Sequence, residues 1–188
     1  MIFIILSLFG VYWLWVFIGF VLSFFKAISP DKFLFIKRKF SPKKLEKLHR
    51  KLNVDIGGRL NAGDIKSAIA LMLSNNLINA LLFWMMPGLL FFVYILAAYT
   101  GFSQGTFIRF SPMRNRSLTL MILEFGGYLT CASIGTRIGS ALFFNYNLDL
   151  LLIDLTYSSP IALALLTMAS IYEINTFTYL LKNIPSRV

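Results

Sequence analysis

Histidine and cysteine are almost missing from this chain: His49 and Cys131 are the only two among 188 residues. A single cysteine excludes an internal disulfide framework and a cysteine-built metal site. A single histidine excludes a three-histidine metal centre within one chain. His49 also lies among lysines, a poor setting for a hydrolase triad. Charge is scarce too, with 14% of residues Asp, Glu, Lys or Arg, about half the usual fraction. Acids are the rarer sign, 8 against 18 bases. The sequence shows no metal-ligand cluster, nucleophile motif or pair of catalytic aspartates. We therefore expect no enzyme activity and no cofactor.

What fills the space is hydrocarbon. Fully 57% of the residues are hydrophobic, 19 of them Phe, where soluble domains hold about 45–50% apolar residues. A membrane-crossing helix needs about 20 consecutive apolar residues, and runs of that length recur. The expected fold is all-α: a polytopic transmembrane helical bundle of about five spans, forming a single membrane domain over 1–188.

The first span is residues 1–25, apolar or aromatic apart from Ser7 and Ser23. It has neither the basic start nor the short apolar core of a cleaved signal peptide, so it reads as a retained helix. Residues 26–66 follow as a basic linker, with 12 Lys/Arg against 4 Asp/Glu, a local net of +8. Between spans, such a block marks the cytoplasmic side. Its expected partner is the anionic lipid headgroups rather than nucleic acid. Within it, SPKKLEKLHRKLN reads as an amphipathic helix capped by Ser41, with Leu45, Leu48 and Leu52 on one face. That helix either lies on headgroups or packs on the protein. Residues 54–64, VDIGGRLNAGD, read as a loop or hinge rich in Gly and Asn.

Residues 67–181 form the four-span core. The stretch 67–108 is just long enough to cross twice, with Pro87-Gly88 placed for a hairpin or a kink. Charge favours two crossings, because Arg109, Arg114 and Arg116 then fall on the cytoplasmic side. Further spans are expected near 117–144 and 151–181, joined by NYNLD outside. The chain is thus expected in the cell membrane as a multi-pass protein, N-terminus outside and C-terminus cytoplasmic.

Ionisable groups within a bilayer are expensive and each is a functional candidate. Here they are Glu124, Arg137, Asp154 and Glu173. The stretch ILEFGGYLTCASIGTRIG, residues 122–139, holds two of them. They lie about 20 Å apart along a helix and about 220° apart around it, so they need not pair. Counting back through an antiparallel hairpin sets Arg137 against Asp154 and Glu124 near Ser170 and Glu173. Two carboxylates at one depth do not both ionise cheaply. The pair then handles a proton or cation, or bonds helix ends and loop amides, or is solvated at the interface. The same stretch carries small residues at steps of four: Gly127, Cys131, Gly135 and Gly139. Gly101 and Gly105 repeat the spacing. Small residues let helix backbones approach closely where lipid supplies no hydrophobic drive. Asn76, beside Asn75 and Asn79, opens the second span, where these residues either bond loop carbonyls or lie at the membrane interface.

These residues resemble the stage II sporulation protein M family. Glu124, Gly135, Arg137 and Gly139 fall in the register of its H-G-x-x-E-L-P-A and G-x-R-x-G segments. Gly101 and Gly105, with Thr100 before them, resemble its Asn-Gly-x-x-x-Gly. Asn76 resembles an Asn that opens its second span, and Ala169 to Glu173 resemble a late A-x-x-(I/V)-E less closely. Leu120, Met121 and Gly126 stand where the family has His, Gly and Pro. The resemblance covers about residues 65–180. It implies a multi-spanning protein, often of five spans, and in endospore formers a non-catalytic scaffold gathering cell-wall hydrolases at the septal membrane. Many relatives occur in organisms that never sporulate. The expected function is a non-enzymatic scaffold or membrane subunit of a multiprotein complex, with other membrane proteins or a second copy as partner. The alternative is a transport component, permease-like or channel-forming, using Glu124, Glu173 and Arg137.

Overall fold

The computed structural model describes residues 2–24, 52, 54–85, 92–108, 114–144 and 148–183. Every regular element among the described residues is helical. Helix α1 spans Ile2–Phe24 and carries no charged side chain in 23 residues. At 1.5 Å per residue it is about 35 Å long, enough for the hydrocarbon core of a bilayer. The basic stretch 26–51 and the Pro87-Gly88 pair lie outside the described residues, as does nearly all of the expected amphipathic helix.

Residues 54–61 form a short helix, α2, where a loop or hinge was expected. The sequence shows why the helix wins. Leu52, Ile56 and Leu60 recur at steps of four and pack with Ala68, Met72 and Ile174. Burying that face outweighs the helix penalty of Gly57 and Gly58, about 1 kcal/mol each. The turn begins only at Ala62. Gly63 takes φ +77, its N–H bonds the Leu60 carbonyl at 3.1 Å, and the Asp64 N–H bonds the Arg59 carbonyl at 2.9 Å. Together they form a Schellman termination. Asp64 then caps the next helix, its carboxylate accepting from the Ser67 N–H at 3.2 Å.

Helix α3 spans Ile65–Asn79 and runs directly into a π-helical segment, Ala80–Trp84. The Met85 N–H closes that segment on the Ala80 carbonyl at 2.8 Å. Helix α4 spans Phe92–Ile108, α5 Arg114–Phe144 and α6 Leu148–Asn183. Among the described residues, four stretches are long and apolar enough to cross a membrane: Phe3–Phe24, Ile65–Leu82, Asn115–Phe144 and Asp149–Tyr179. Helix α4, with 17 residues, is about 25 Å long.

Two close pairs organise the bundle, α1 with α4 and α5 with α6. The α1–α4 pair is made by small residues on both sides. A Cβ on Gly101 would meet the Tyr12 carbonyl, one on Gly105 the Val16 carbonyl, and one on Gly19 the Phe102 carbonyl. Near one end, Tyr94 and Ser7 bond at 2.8 Å, while the Ser7 hydroxyl hydrogen goes to the Ile4 carbonyl. Helix α3 lies along α6, and the π segment rests on α5. Aromatic rings join the pairs at the centre. Tyr12 stacks on Phe125 at 4.7 Å, and Trp84 stacks on Tyr128 at 5.7 Å. Outside, large apolar side chains stand open, from 36% exposed at Phe177 to 82% at Phe3. So wide an apolar surface suits lipid, not water.

Candidate intramembrane polar site

The first side-chain chemistry inside the bundle is an ion pair. Pairing α5 with α6 brings Arg137 Nη1 to 3.2 Å from Asp154 Oδ2, at 14% and 23% exposure. The small residues nearby divide their work. A Cβ on Gly127 would sit 2.7 Å from Leu166 Cγ and Cδ2, so it lets α6 approach. A Cβ on Gly135 would lie 2.7 Å from the Met85 carbonyl, so it receives the end of the π segment instead. Cys131 is buried in the core cluster, and Gly139 is buried as well.

The second group is a hydrogen-bonded chain across three helices. Tyr128 Oη lies 3.2 Å from Asn76 Oδ1 and 3.1 Å from Glu124 Oε1. Asn76 Nδ2 donates to Ser170 Oγ at 3.1 Å. The Ser170 hydroxyl donates to the Leu166 carbonyl of its own helix at 2.8 Å. Asn76, Tyr128 and Ser170 are all buried. Asn79 lies beside the same tyrosine hydroxyl. Glu173, half-buried on α6, is within electrostatic reach of Glu124 and Tyr128. Glu124 and Glu173 thus share one region, as the hairpin register required, while Arg137 and Asp154 lie about 20 Å further along.

Tyr12 approaches this region from α1. It is fully buried, and its hydroxyl is within electrostatic reach of Glu124. Among the described residues that hydroxyl has no hydrogen-bond partner. Closer to one end of the hairpin, Arg116 lies over the Tyr179 ring at 4.2 Å, tying α5 to α6. Asn76 therefore works differently from its sequence reading: it bonds Ser170 and Tyr128 rather than loop carbonyls. Tyr128, Ser170 and Tyr12 were missed as site residues. The one available signal was spacing, since Tyr128 follows Glu124 by four residues and Ser170 precedes Glu173 by three. Nothing in the sequence marked Tyr12.

The arrangement can hold helices together and can hold or move a proton. Among the described residues no group of three His, Cys, Asp or Glu is placed to hold a metal. The fold and the site define a membrane-embedded helical protein with a polar centre. No protein-family model matches the chain, and comparison with curated proteins and with solved structures returns no match.

Proposed function

We propose that the chain is a non-enzymatic membrane scaffold, or the membrane subunit of a multiprotein complex. In this reading it crosses the membrane five times, α4 included, with its N-terminus outside and the basic 26–66 linker against anionic headgroups. The observation that carries it is the use made of the polar groups. Asn76 and Ser170 fasten α3 to α6, Tyr128 fastens α3 to α5, and Arg137 with Asp154 fastens α5 to α6. Buried polar groups of this kind fix one arrangement of helices in lipid. The glycine contacts serve the same end. The resemblance to stage II sporulation protein M, carried by Glu124, Gly135, Arg137 and Gly139, supports the same role.

The test is purification of the tagged full chain in mild detergent with identification of what accompanies it. The expected result is a discrete assembly whose partner is present in fixed ratio. A lone, monodisperse chain that passes ions or solutes in liposomes would instead establish the transport reading. One observation favours that second reading: both Glu124 and Glu173 are only half-buried, and Tyr128, bonded to Glu124, stacks on Trp84 of the π segment.

A further inference from the structure

The Glu124 chain has four links and too few hydrogens to make them all. Tyr128 and Ser170 each carry one hydroxyl hydrogen, and the Asn76 amide nitrogen carries two. Ser170 uses its hydrogen on Leu166. Asn76 Nδ2 therefore donates to Ser170 Oγ, which fixes the amide orientation and leaves Asn76 Oδ1 facing Tyr128. Reversing the amide would set its oxygen against a serine with no hydrogen left to give. Tyr128 then donates to Asn76, and its contact with Glu124 at 3.1 Å has no hydrogen unless the carboxyl supplies one. Only with a proton on Glu124 is every link made.

We propose that Glu124, with Glu173 and the hydroxyls of Tyr128 and Tyr12 around it, is a proton-binding site inside the membrane bundle. The ligand is one exchangeable proton. With it bound, the Glu124 O–H donates to Tyr128 Oη, Tyr128 to Asn76, Asn76 to Ser170 and Ser170 to Leu166. When the proton leaves to water as hydronium, the electron pair stays on the carboxylate. The Tyr128 hydrogen then turns to that carboxylate, and Asn76 Oδ1 loses its donor. Release of the proton thus undoes the Asn76–Tyr128 bond, one of the ties between α3 and α5, and leaves Asn79 beside the tyrosine hydroxyl. Tyr12 is the second observation at the site: a fully buried hydroxyl without a partner among the described residues, within electrostatic reach of the same carboxyl. It is the donor available to the carboxylate.

Among the described residues, Tyr12 of α1, Tyr128 of α5 and Glu173 of α6 face Glu124, and Asn76 and Asn79 of α3 reach it through Tyr128. Among the described side chains, Arg116 lies over Tyr179 and Arg137 pairs with Asp154. Proton binding at Glu124 requires no partner assembled on the chain.

Infrared difference spectroscopy on the full chain, in detergent and in liposomes, tests it. A protonated-carboxyl C=O band should be present at neutral pH, shift in heavy water, vanish in Glu124→Gln and persist in Asp154→Asn. Tyr128→Phe keeps the carboxyl but removes its acceptor, so the band should move to higher frequency. If Glu124→Gln fails to fold, the wild type and Tyr128→Phe decide alone. Absence of the band in the wild type at neutral pH, or an unmoved band in Tyr128→Phe, would overturn the proposal. So would a missing band with melting that rises saturably as sodium replaces choline, since the ligand would then be an alkali cation.

Discussion

Met85 rests its backbone on Gly135: a Cβ there would lie 2.7 Å from the Met85 carbonyl carbon and oxygen. The contact joins the end of the π segment to the middle of α5. It explains why a residue without a side chain stands there.

Gly135→Leu should therefore push the π segment away and lower the melting temperature sharply, or prevent folding. Gly135→Ala should cost about 1–3 kcal/mol, because backbone and not a flexible tip must move. Gly10→Ala is the control, as a Cβ on Gly10 meets nothing within 4 Å. Thermal unfolding in detergent separates the two. Equal melting temperatures for Gly135→Ala and Gly10→Ala would remove this account.

Gly105→Ala should loosen α1 from α4, since its Cβ would meet the Val16 carbonyl. The expected readout is faster proteolysis of the first helix in detergent, alongside a lower melting temperature. Unchanged cleavage would mean that the pair does not depend on this contact.

Replacing one member of the Arg137–Asp154 pair leaves the other charge inside the bundle. Asp154→Asn and Arg137→Gln should each cost about 1–3 kcal/mol, less than for a fully buried pair because both side chains keep some exposure. Changing both to apolar residues of similar size should recover most of the loss. A double variant as unstable as the sum of the singles would show that the two do not interact.

Asp64 gives a pH dependence away from the lipid. Hydrogen bonds from the Ser67 side chain and amide hold its carboxyl below the usual aspartate range. A lowered folded pKa means stabilisation that is present above the ordinary value of about 3.9 and is lost as pH falls through the folded one. Asp64→Ala should melt below wild type at neutral pH, and the gap should close in acid. A gap that persists unchanged in acid would point to a different origin.

The α2 helix offers a gain. A Cβ on Gly57 or Gly58 meets nothing within 4 Å. Alanine at either should stabilise by about 0.5–1 kcal/mol, the helix penalty of glycine. Gly63→Ala should do the reverse, because φ +77 suits glycine. Melting temperatures moving together in all three variants would contradict the assignment.

Hydropathy and charge made the long helices and the hairpin of α5 and α6 legible, and with them the facing of Arg137 and Asp154. Helical geometry turns such a register into arithmetic. The spacing of Gly101 and Gly105 likewise announced a close contact, though not that α1 would fill it. Three features were harder to read. Gly57-Gly58 has the local propensity of a hinge, and the helix is favoured only by Ile56, buried with the partly buried Leu52 and Leu60 beside it. The π segment differs from an α-helix only in its hydrogen-bond step, which leaves no pattern in ALLFW. Tyr12, Tyr128 and Ser170 hide among apolar neighbours because each brings a single polar atom, whose value depends on what faces it.

The π segment has one more consequence. An α-helix turns 100° per residue, so one extra residue in a turn works as a phase shift. It lets one continuous rod address two neighbours that a uniform helix would present at the wrong angle, α6 through Asn76 and Gly135 of α5 through Met85. Deleting a residue within 80–84 would restore the uniform phase and leave one of the two addresses unread.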